Sequence, residues 1–199
     1  MRELQGRVAV ITGGGSGIGA ALAHACAERK MRVVVADVEA DAAEEVADAV
    51  RQRGAEAMAC AVDIRSRAAV DDLAKQVGAH FGKCHLLCNN AGVMVTRPLL
   101  ELDEKDWEWS LSVNLWGVIH AVSAFVPQMI AHGEEAHVVN TASIVGLAAL
   151  AQGGLGAYTT TKFALVGYSE YLREELKAAG VPIGVSVVCP GAVTTRIAE

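Results

Sequence analysis

Short apolar runs rich in β-branched residues alternate with helical segments along the 199 residues of the chain. Such runs, bounded by turn residues, are typical of strands buried on both faces of a sheet. The predicted strands occupy residues 7–12, 32–36, 56–62, 84–88, 138–142 and 183–188. The predicted helices occupy residues 20–30, 40–53, 66–81, 103–130 and 158–178. This alternation predicts a three-layer α/β fold with a doubly wound parallel sheet in the order 3-2-1-4-5-6.

The first predicted strand runs directly into a glycine-rich turn, residues 13–19, which opens the first helix. Glycine lets the backbone approach an anion, and a helix N-terminus supplies N–H donors and a partial positive charge. A plain strand-to-helix turn is the alternative, but five glycines in seven residues are more than such a turn requires. We therefore predict a Rossmann-like phosphate site at this turn, formed by Gly13, Ser16, Gly17, Ile18 and Gly19.

A carboxylate stands at the tip of the second predicted strand. Asp37 lies about twenty residues beyond the glycine turn, where an acidic side chain can accept both hydroxyls of an adenosine ribose and repels a 2′-phosphate. No Arg or Lys stands in the glycine turn or directly after Asp37 to bind such a phosphate. The expected cofactor is therefore NAD rather than NADP, although Asp37 can also act as an ordinary cap for helix 40–53.

Polar or turn residues follow the other predicted strands as well. In doubly wound sheets, ligands bind beyond the carboxyl ends of the strands, at the switch between the first and the fourth. Residues far apart in the sequence should therefore meet in one crevice. Besides the glycine turn and Asp37, these residues are Asp63, Asn90, Ser143 and Pro190.

Tyr158 and Lys162 stand four residues apart in a predicted helix. That spacing places both side chains on one helix face, where the ammonium can reach the phenol. A nearby cation favours the phenolate and lowers the pKa of a Tyr from its usual value near ~10. A Tyr tuned in this way is a plausible acid/base for an alcohol or a carbonyl. The alternative is an exposed helical pair without a chemical role.

Composition argues against several classes of function. The net charge of −6 and the lack of a basic cluster argue against nucleic acid or an anionic membrane as partner. No apolar run approaches the ~20 residues of a membrane helix, and the N-terminus lacks the apolar core of a signal peptide, so we expect a cytoplasmic protein. The five cysteines are scattered and odd in number, which is typical of reduced core thiols. No metal-ligand spacing is present, so no metal is expected.

The motifs together resemble the short-chain dehydrogenase/reductase family over residues 8–195. The resemblance rests on these motifs, in family order: Thr12-Gly13-x-x-x-Gly17-x-Gly19, Asn89-Asn90-Ala91-Gly92, Asn114, Ser143, Tyr158-x-x-x-Lys162 and Pro190-Gly191-x-Val193-x-Thr195. It implies that Tyr158 exchanges the proton of the alcohol or carbonyl while hydride moves to or from the nicotinamide. Lys162 is implied to lower the pKa of Tyr158 and to hold the nicotinamide ribose.

The resemblance also assigns the remaining site residues. Ser143 is expected to hydrogen-bond the substrate oxygen, and Asn114 to interrupt its helix and hold a water linked to Lys162. Asp63 is expected at the adenine. The implied cofactor set is Gly13, Ser16, Gly17, Ile18, Gly19, Asp37, Asp63, Ile64, Asn90, Ala91, Gly92, Tyr158, Lys162, Pro190, Gly191, Val193 and Thr195.

The leading functional hypothesis is an NAD-dependent oxidoreductase that interconverts a secondary alcohol and a ketone. A mainly apolar substrate is predicted from Val93, Met94, Leu147 and Leu150. The alternative is a non-catalytic NAD-binding regulatory protein of the same fold. The implied catalytic set argues against this alternative, and the early end of the chain argues for it. A methyltransferase on the same sheet is disfavoured, because it leaves Tyr158 and Lys162 without a role.

Further expectations concern the end of the chain and its surface. Family members usually continue past the Pro-Gly turn with a substrate lid and one more strand. We therefore expect both to be absent here and residues 1–199 to form a single, C-terminally incomplete domain. The resemblance implies a homodimer or homotetramer formed through helices 103–130 and 158–178. The tryptophans Trp107, Trp109 and Trp116 are interpreted as packing residues, and the glycines of loop 146–156 predict mobility.

Overall fold

Six parallel strands form one sheet in the order β3-β2-β1-β4-β5-β6, as predicted. The computed structural model describes residues 1–150, 153–195 and 197. The strands are β1 Val8–Thr12, β2 Arg32–Asp37, β3 Ala57–Ala61, β4 Leu86–Asn89, β5 Ala136–Thr141 and β6 Ile183–Val188. The predicted boundaries differ from these by one or two residues at most strand ends, and the strand order is confirmed.

Helices cover both faces of the sheet and complete the predicted three layers. They are α1 Gly17–Glu28, α2 Ala40–Gln52, α3 Arg67–Phe81, α4 Glu104–Leu111, α5 Gly117–His132 and α6 Gly156–Ala178. Helices α1 and α2 pack on one face. Helices α3, α5 and α6 pack on the other.

Alternate residues of each central strand enter opposite cores, because side chains of a strand point alternately to its two faces. In β1, Val8 and Val10 join the core under α3 and α5. Their neighbours Ala9 and Ile11 join the core under α1 and α2. All four side chains are fully buried. The continuous apolar run in the sequence is therefore a consequence of burial on both sides.

The helix predicted at 103–130 is divided in two. Asp103 caps α4 through a complete capping box with Asp106, as the sequence predicts for its start. A π turn at Ser112–Trp116 then separates α4 from α5. Such turns often lie at functional sites, and this one contains Asn114, whose helix interruption the family resemblance implies.

The same segment passes a simple test for a membrane span. By length and mean hydropathy alone, Glu104–His132 is apolar enough to cross a bilayer, contrary to the expectation from the sequence. However, 50% of its most apolar window is buried inside the fold. The core helix of a soluble protein meets the same criteria.

Candidate active site

A crevice of about 740 Å³ opens at the carboxyl ends of the strands. Ligand pockets usually have volumes of roughly 300–1,000 Å³. Every site residue predicted from the sequence lines the crevice except Gly19 and Asn114, which lie behind its wall. The convergence expected from strand order is therefore observed, from the glycine turn to Thr195.

The glycine turn has the geometry of a cradle for an anion. Gly13 adopts φ +62°, and a Cβ there would lie 2.6 Å from the Cα of Ala91. A Cβ at Gly19 would lie 1.9 Å from the carbonyl oxygen of Gly13, so only glycine fits. No side chain caps α1, since the hydroxyl of its N-cap residue Ser16 makes no capping hydrogen bond. The first N–H groups of α1 are thus available to an anion such as a phosphate.

Thr12 fastens the glycine turn to the loop that follows β4. Its hydroxyl oxygen accepts hydrogen bonds from the backbone N–H of Asn90 at 3.1 Å and of Ala91 at 3.3 Å. The Asn90 side chain donates in turn to the carbonyl of Gly13 at 3.1 Å. The two predicted motifs are therefore one hydrogen-bonded unit at the switch point of the sheet.

Asp37 faces the same crevice and is held by two backbone groups. Its carboxylate accepts from the N–H of Gly15 at 2.8 Å and from that of Glu39 at 3.1 Å. It does not cap α2, whose N-cap residue is Glu39, so the capping alternative raised by the sequence is wrong. A neighbouring cavity of about 720 Å³ is lined by Glu39, Asp41 and Glu45, so this end of the site is strongly acidic.

Asp63 is fixed by a residue that the sequence analysis did not identify. Both carboxylate oxygens accept from Arg65: Oδ1 from Nε at 3.0 Å and Oδ2 from Nη2 at 2.6 Å. The Arg65 hydrogen bond holds the pKa of Asp63 below its usual value. The guanidinium of Arg65 lies over the ring of Trp109, 4.9 Å from its centroid. Arg65 and Trp109 both line the crevice.

Two tryptophans are not the packing residues that the sequence analysis predicted. Trp109 is 42% exposed and Trp116 is 53% exposed. Trp109 stands four residues before Val113, which also lines the crevice. That spacing on one helix face is the signal that could have identified Trp109.

Asn114 links the loop after β4 to helix α6 from a fully buried position. Its side chain accepts from the N–H of Val93 at 2.8 Å and donates to the carbonyl of Val93 at 2.9 Å. It also donates to the hydroxyl of Thr161 at 3.1 Å, which donates to the carbonyl of Tyr158 at 2.8 Å. Asn114 therefore holds both Val93 and the first turns of α6 in place.

Tyr158 and Lys162 share one face of α6, but their predicted electrostatic relation is not observed. The Lys162 ammonium lies 5.4 Å from the centroid of the Tyr158 ring and donates to the carbonyl of Thr141 at 2.8 Å. Burial raises the pKa of Tyr158, while a hydrogen bond with the Ser143 side chain opposes the rise. In the protein alone, the prediction that Lys162 lowers the pKa of Tyr158 is therefore wrong, because burial is the largest influence on this pKa and raises it.

Lys162 is a nearly fully buried cation, with 2% of its surface exposed. Burial lowers the pKa of its ammonium to about 8, and the nearby Cys189 thiol opposes this shift. The ammonium faces the backbone of Gly92, where a Cβ would lie 3.5 Å from Nζ. A protonated amine in this place can donate to a ligand oxygen in the crevice.

The end of the crevice beside Tyr158 is apolar. Its wall includes Val93, Met94 and Leu150 as predicted, together with Leu155, which the sequence analysis missed. Leu147, also predicted there, is 59% exposed and does not line the crevice. Residues 151 and 152 of the loop predicted to be mobile lie outside the described residues.

Comparisons with known proteins agree with this geometry. The family model described as short chain dehydrogenase matches residues 7–199. A crystal structure of a short chain dehydrogenase/reductase from Burkholderia phymatum in complex with NAD is 43% identical, with a TM-score of 0.95, over 99% of this chain and 69% of that one. A CLA biosynthesis dehydrogenase/reductase of Lactiplantibacillus plantarum is 34% identical over 99% of this chain and 68% of its own length. A 1-deoxy-11-beta-hydroxypentalenate dehydrogenase of Streptomyces exfoliatus is 37% identical over 99% and 71%.

Proposed function

The chain belongs to the short-chain dehydrogenase/reductase family of oxidoreductases, and we propose that it interconverts a secondary alcohol and a ketone with NAD as the hydride carrier. The observation that carries this proposal is the meeting of Ser143, Tyr158 and Lys162 beside an apolar wall of the crevice. Hydride transfer at an alcohol carbon requires a proton donor, a hydroxyl that hydrogen-bonds the reacting oxygen, and a cation nearby.

The residues of the crevice suit NAD better than NADP. The free N–H groups of α1 and the cradle around Gly13 and Gly19 fit a pyrophosphate. Asp37, directed at the same cleft and flanked by Glu39 and Asp41, suits ribose hydroxyls and repels a further phosphate. When bound, NAD supplies the nicotinamide carbon that accepts or returns the hydride. The related Burkholderia phymatum protein has been solved with NAD.

In this proposal Tyr158 transfers the proton at its hydroxyl oxygen. Because burial raises its pKa, Tyr158 is a neutral acid at physiological pH and is ready to protonate a carbonyl oxygen. In the direction of alcohol oxidation, Tyr158 must first lose its proton. The hydrogen bond with Ser143 favours that loss, because it opposes the rise in the pKa of Tyr158 that burial causes.

The other two residues of the proposed set hold the reaction geometry. Ser143, 9% exposed, lies two residues beyond the end of β5 and can donate to the substrate oxygen while it interacts with Tyr158. Asn114 holds Val93 and, through Thr161, the turn of α6 that carries Tyr158. Asn114 therefore acts on the arrangement of the site rather than on the reacting atoms.

The substrate class follows from the wall beside Tyr158. Met94, Leu150 and Leu155 present hydrocarbon surface to the crevice. Of the charged residues in the described lining, only Lys162 stands on the helix that carries Tyr158; the others, Asp37, Glu39, Asp63 and Arg65, lie at the ends of β2 and β3 or just beyond them. An uncharged alcohol or ketone with an apolar substituent is the expected substrate, since burial of a charged group there costs free energy without a partner.

A comparison of two tyrosine variants on one helix tests the proposal. Tyr158→Phe should lower kcat for oxidation of secondary alcohols by about a hundredfold or more, while the Kd for NAD changes little. The control is Tyr171→Phe, because Tyr171 lies on the same helix with 73% of its surface exposed. The assay is NADH formation across a panel of alcohols, with NAD and NADP compared.

The outcome separates the proposed enzyme from its alternative. NAD binding without activity on any alcohol, in the parent and in Tyr158→Phe alike, would support the non-catalytic regulatory protein. Activity that survives Tyr158→Phe undiminished would refute the role given to this residue.

We also propose a homodimer or homotetramer in the cytoplasm. Apolar side chains on two helical segments remain exposed in the described part of the chain: Trp116 at 53% and Phe163 at 42%. A second copy that covers them would remove this apolar surface from water. Sedimentation showing only a monomer at micromolar concentration would contradict the assembly.

A further inference from the structure

Two segments far apart in sequence run side by side at the substrate end of the crevice. The N–H of Arg97 donates to the carbonyl of Gly154 at 3.0 Å. Arg97 also pairs with Leu155 in a parallel bridge outside the main sheet. The segment that leaves β4 is thereby joined to the segment that enters α6.

The side chain of Arg97 is fixed to the start of α4. Its guanidinium forms an ion pair with Asp106 and lies 3.9 Å from the carboxylate of Asp103. The positive end of the helix dipole repels a cation at this place, so the two carboxylates are needed to hold it. The Asp106 side chain is only 16% exposed and also accepts from the N–H of Asp103 at 3.1 Å. One carboxylate therefore serves both the capping box and Arg97.

Glycine permits the close approach of the two segments. Gly154 adopts φ +70°, and a Cβ there would lie 2.6 Å from the carbonyl carbon of Arg97. A Cβ at Gly156 would lie 2.5 Å from Cδ1 of Leu99. Gly153 adopts φ +65° but would meet nothing within 4 Å. The contact thus explains why Gly154, unlike Gly153, has no room for a side chain.

The joined segment forms part of the proposed catalytic site. Leu155 lines the crevice, and its carbonyl accepts from the N–H of Thr159 at 2.8 Å in the first turn of α6. Tyr158 lies in that turn. A displacement of Gly154 would therefore move both the apolar wall at Leu155 and the helix turn that carries Tyr158.

We propose that Arg97 is a positioning residue, which fixes the substrate wall by fastening residues 153–156 to the N-terminus of α4. This inference rests on the proposed function for its kinetic consequence, but the contact itself does not. Arg97 does not itself line the crevice, and the lining residue that it contacts is Leu155 of the substrate wall rather than a residue of the phosphate cradle. Its effect should therefore fall on the substrate and not on the cofactor.

The first test removes the ion pair. Arg97→Ala should raise KM for a bulky secondary alcohol by about fivefold, as expected for loss of a partly exposed ion pair. The KM for a small alcohol and the Kd for NAD should change less than about twofold. Arg97→Lys, which keeps the positive charge, should recover part of the loss. Arg173→Ala is the control, since Arg173 makes an exposed ion pair with Glu174 at 3.2 Å on α6.

The second test uses the two glycines. Gly154→Ala and Gly153→Ala carry the same penalty of a positive φ, but only the first forces a Cβ against Arg97. Gly154→Ala should therefore accelerate amide hydrogen exchange over residues 153–160 and raise KM for the bulky alcohol more than Gly153→Ala does. Thermal denaturation of both variants shows whether either effect comes from general loss of the fold.

Amide hydrogen exchange in the cofactor-free protein tests the contact between Arg97 and residues 153–156 even if no activity is found. Faster exchange of 153–160 in Arg97→Ala, with the KM change above, supports the proposal. Unchanged exchange would overturn the proposal. Faster exchange with an unchanged KM would also overturn it, as would a rise in the Kd for NAD that parallels the rise in KM. If the parent oxidises no alcohol, the proposed function fails instead, and exchange alone decides whether Arg97 fastens this segment.

Discussion

Replacement of Lys162 by methionine should stabilise the cofactor-free protein near neutral pH. The ammonium is 2% exposed, and burial lowers its pKa from 10.5 to about 8. At ~1.4 kcal/mol for each pKa unit, keeping this group charged in the folded state costs about 3 kcal/mol. Removal of the amine also leaves the carbonyl of Thr141, its partner at 2.8 Å, without a donor. That loss costs ~1 kcal/mol or more, so Lys162→Met should gain up to about 2 kcal/mol.

The stability gained by Lys162→Met should decrease as pH rises. Because the pKa of Lys162 is lower in the folded protein, the unfolded chain binds the proton more tightly between about pH 8 and 10.5. The stability of the parent therefore rises as pH increases through that window and is lowest below it. Lys162→Met has no such group. Its advantage should be full near neutral pH and should shrink above pH 8.

Denaturant unfolding at neutral pH and again near pH ~10 measures the stability gained by Lys162→Met and its change with pH. Lys177→Met is the matched control, since Lys177 stands near the end of the same helix with 78% of its side chain exposed. For a chain of this length, a gain of about 2 kcal/mol corresponds to roughly 4–8 °C in Tm. Equal destabilisation of Lys162→Met at both pH values would refute the idea of a strained, charged lysine. Activity should be lost in either case.

Three further predictions concern two backbone positions and one charged side chain. Gly19→Ala should lower stability by ~1–3 kcal/mol and abolish tight NAD binding, because its Cβ would lie 1.9 Å from a carbonyl oxygen. In Gly167→Ala the new Cβ meets nothing within 4 Å, so a gain of up to ~1 kcal/mol is expected; denaturation and NAD titration of both variants check this. Hydrogen bonds from Lys83 and His85 lower the pKa of Glu134 to about 2, so its stabilising effect is present above its usual pKa of 4.5 and is lost as pH falls towards 2. Glu134→Gln should be less stable than the parent at neutral pH, and in urea unfolding the difference should shrink below pH 4.5 and vanish near pH ~2; a difference that does not shrink in acid would contradict this.

The fold could be predicted because its determinants are local. Alternation of β-branched runs with helical segments identifies the elements, and parallel connections permit few strand orders. The side-chain caps at Ser66 and Asp103 are also local, because capping depends on residues within one turn. Once the strand order is known, residues after strand ends must converge, and the cofactor crevice follows from that.

The electrostatics of the site could not be predicted in the same way. Spacing places Tyr158 and Lys162 on one helix face but carries no information on how deeply that face is buried. The ammonium of Lys162 donates a hydrogen bond to the carbonyl of Thr141, which belongs to β5 and not to α6. Desolvation then decides the sign of the Tyr158 shift. Depth of burial is a property of the whole packed structure.

Long-range contacts explain why other features of the site could not be predicted from the sequence. Arg65 and Trp109 meet through segments that are distant in sequence, and neither has a motif of its own. The π turn at Asn114 is held by Val93, a residue of another loop. The backbone of Arg97 likewise meets Gly154 and Leu155, which lie in the distant segment that enters α6. Each of these interactions depends on tertiary geometry rather than on local sequence.

The features that oppose stability in this protein concentrate at one edge of the sheet. The uncapped N-terminus of α1 and the buried ammonium of Lys162 each lower the stability of the protein when no ligand is present. A ligand at 100 times its Kd stabilises the folded state by ~2.7 kcal/mol, which is close to the ~3 kcal/mol attributed to the charged lysine. The cost at Lys162 is therefore of a size that cofactor binding can offset. A methionine at this position would remove the cost and the chemistry together, so the stability gained by Lys162→Met measures what the parent gives up for its proposed function.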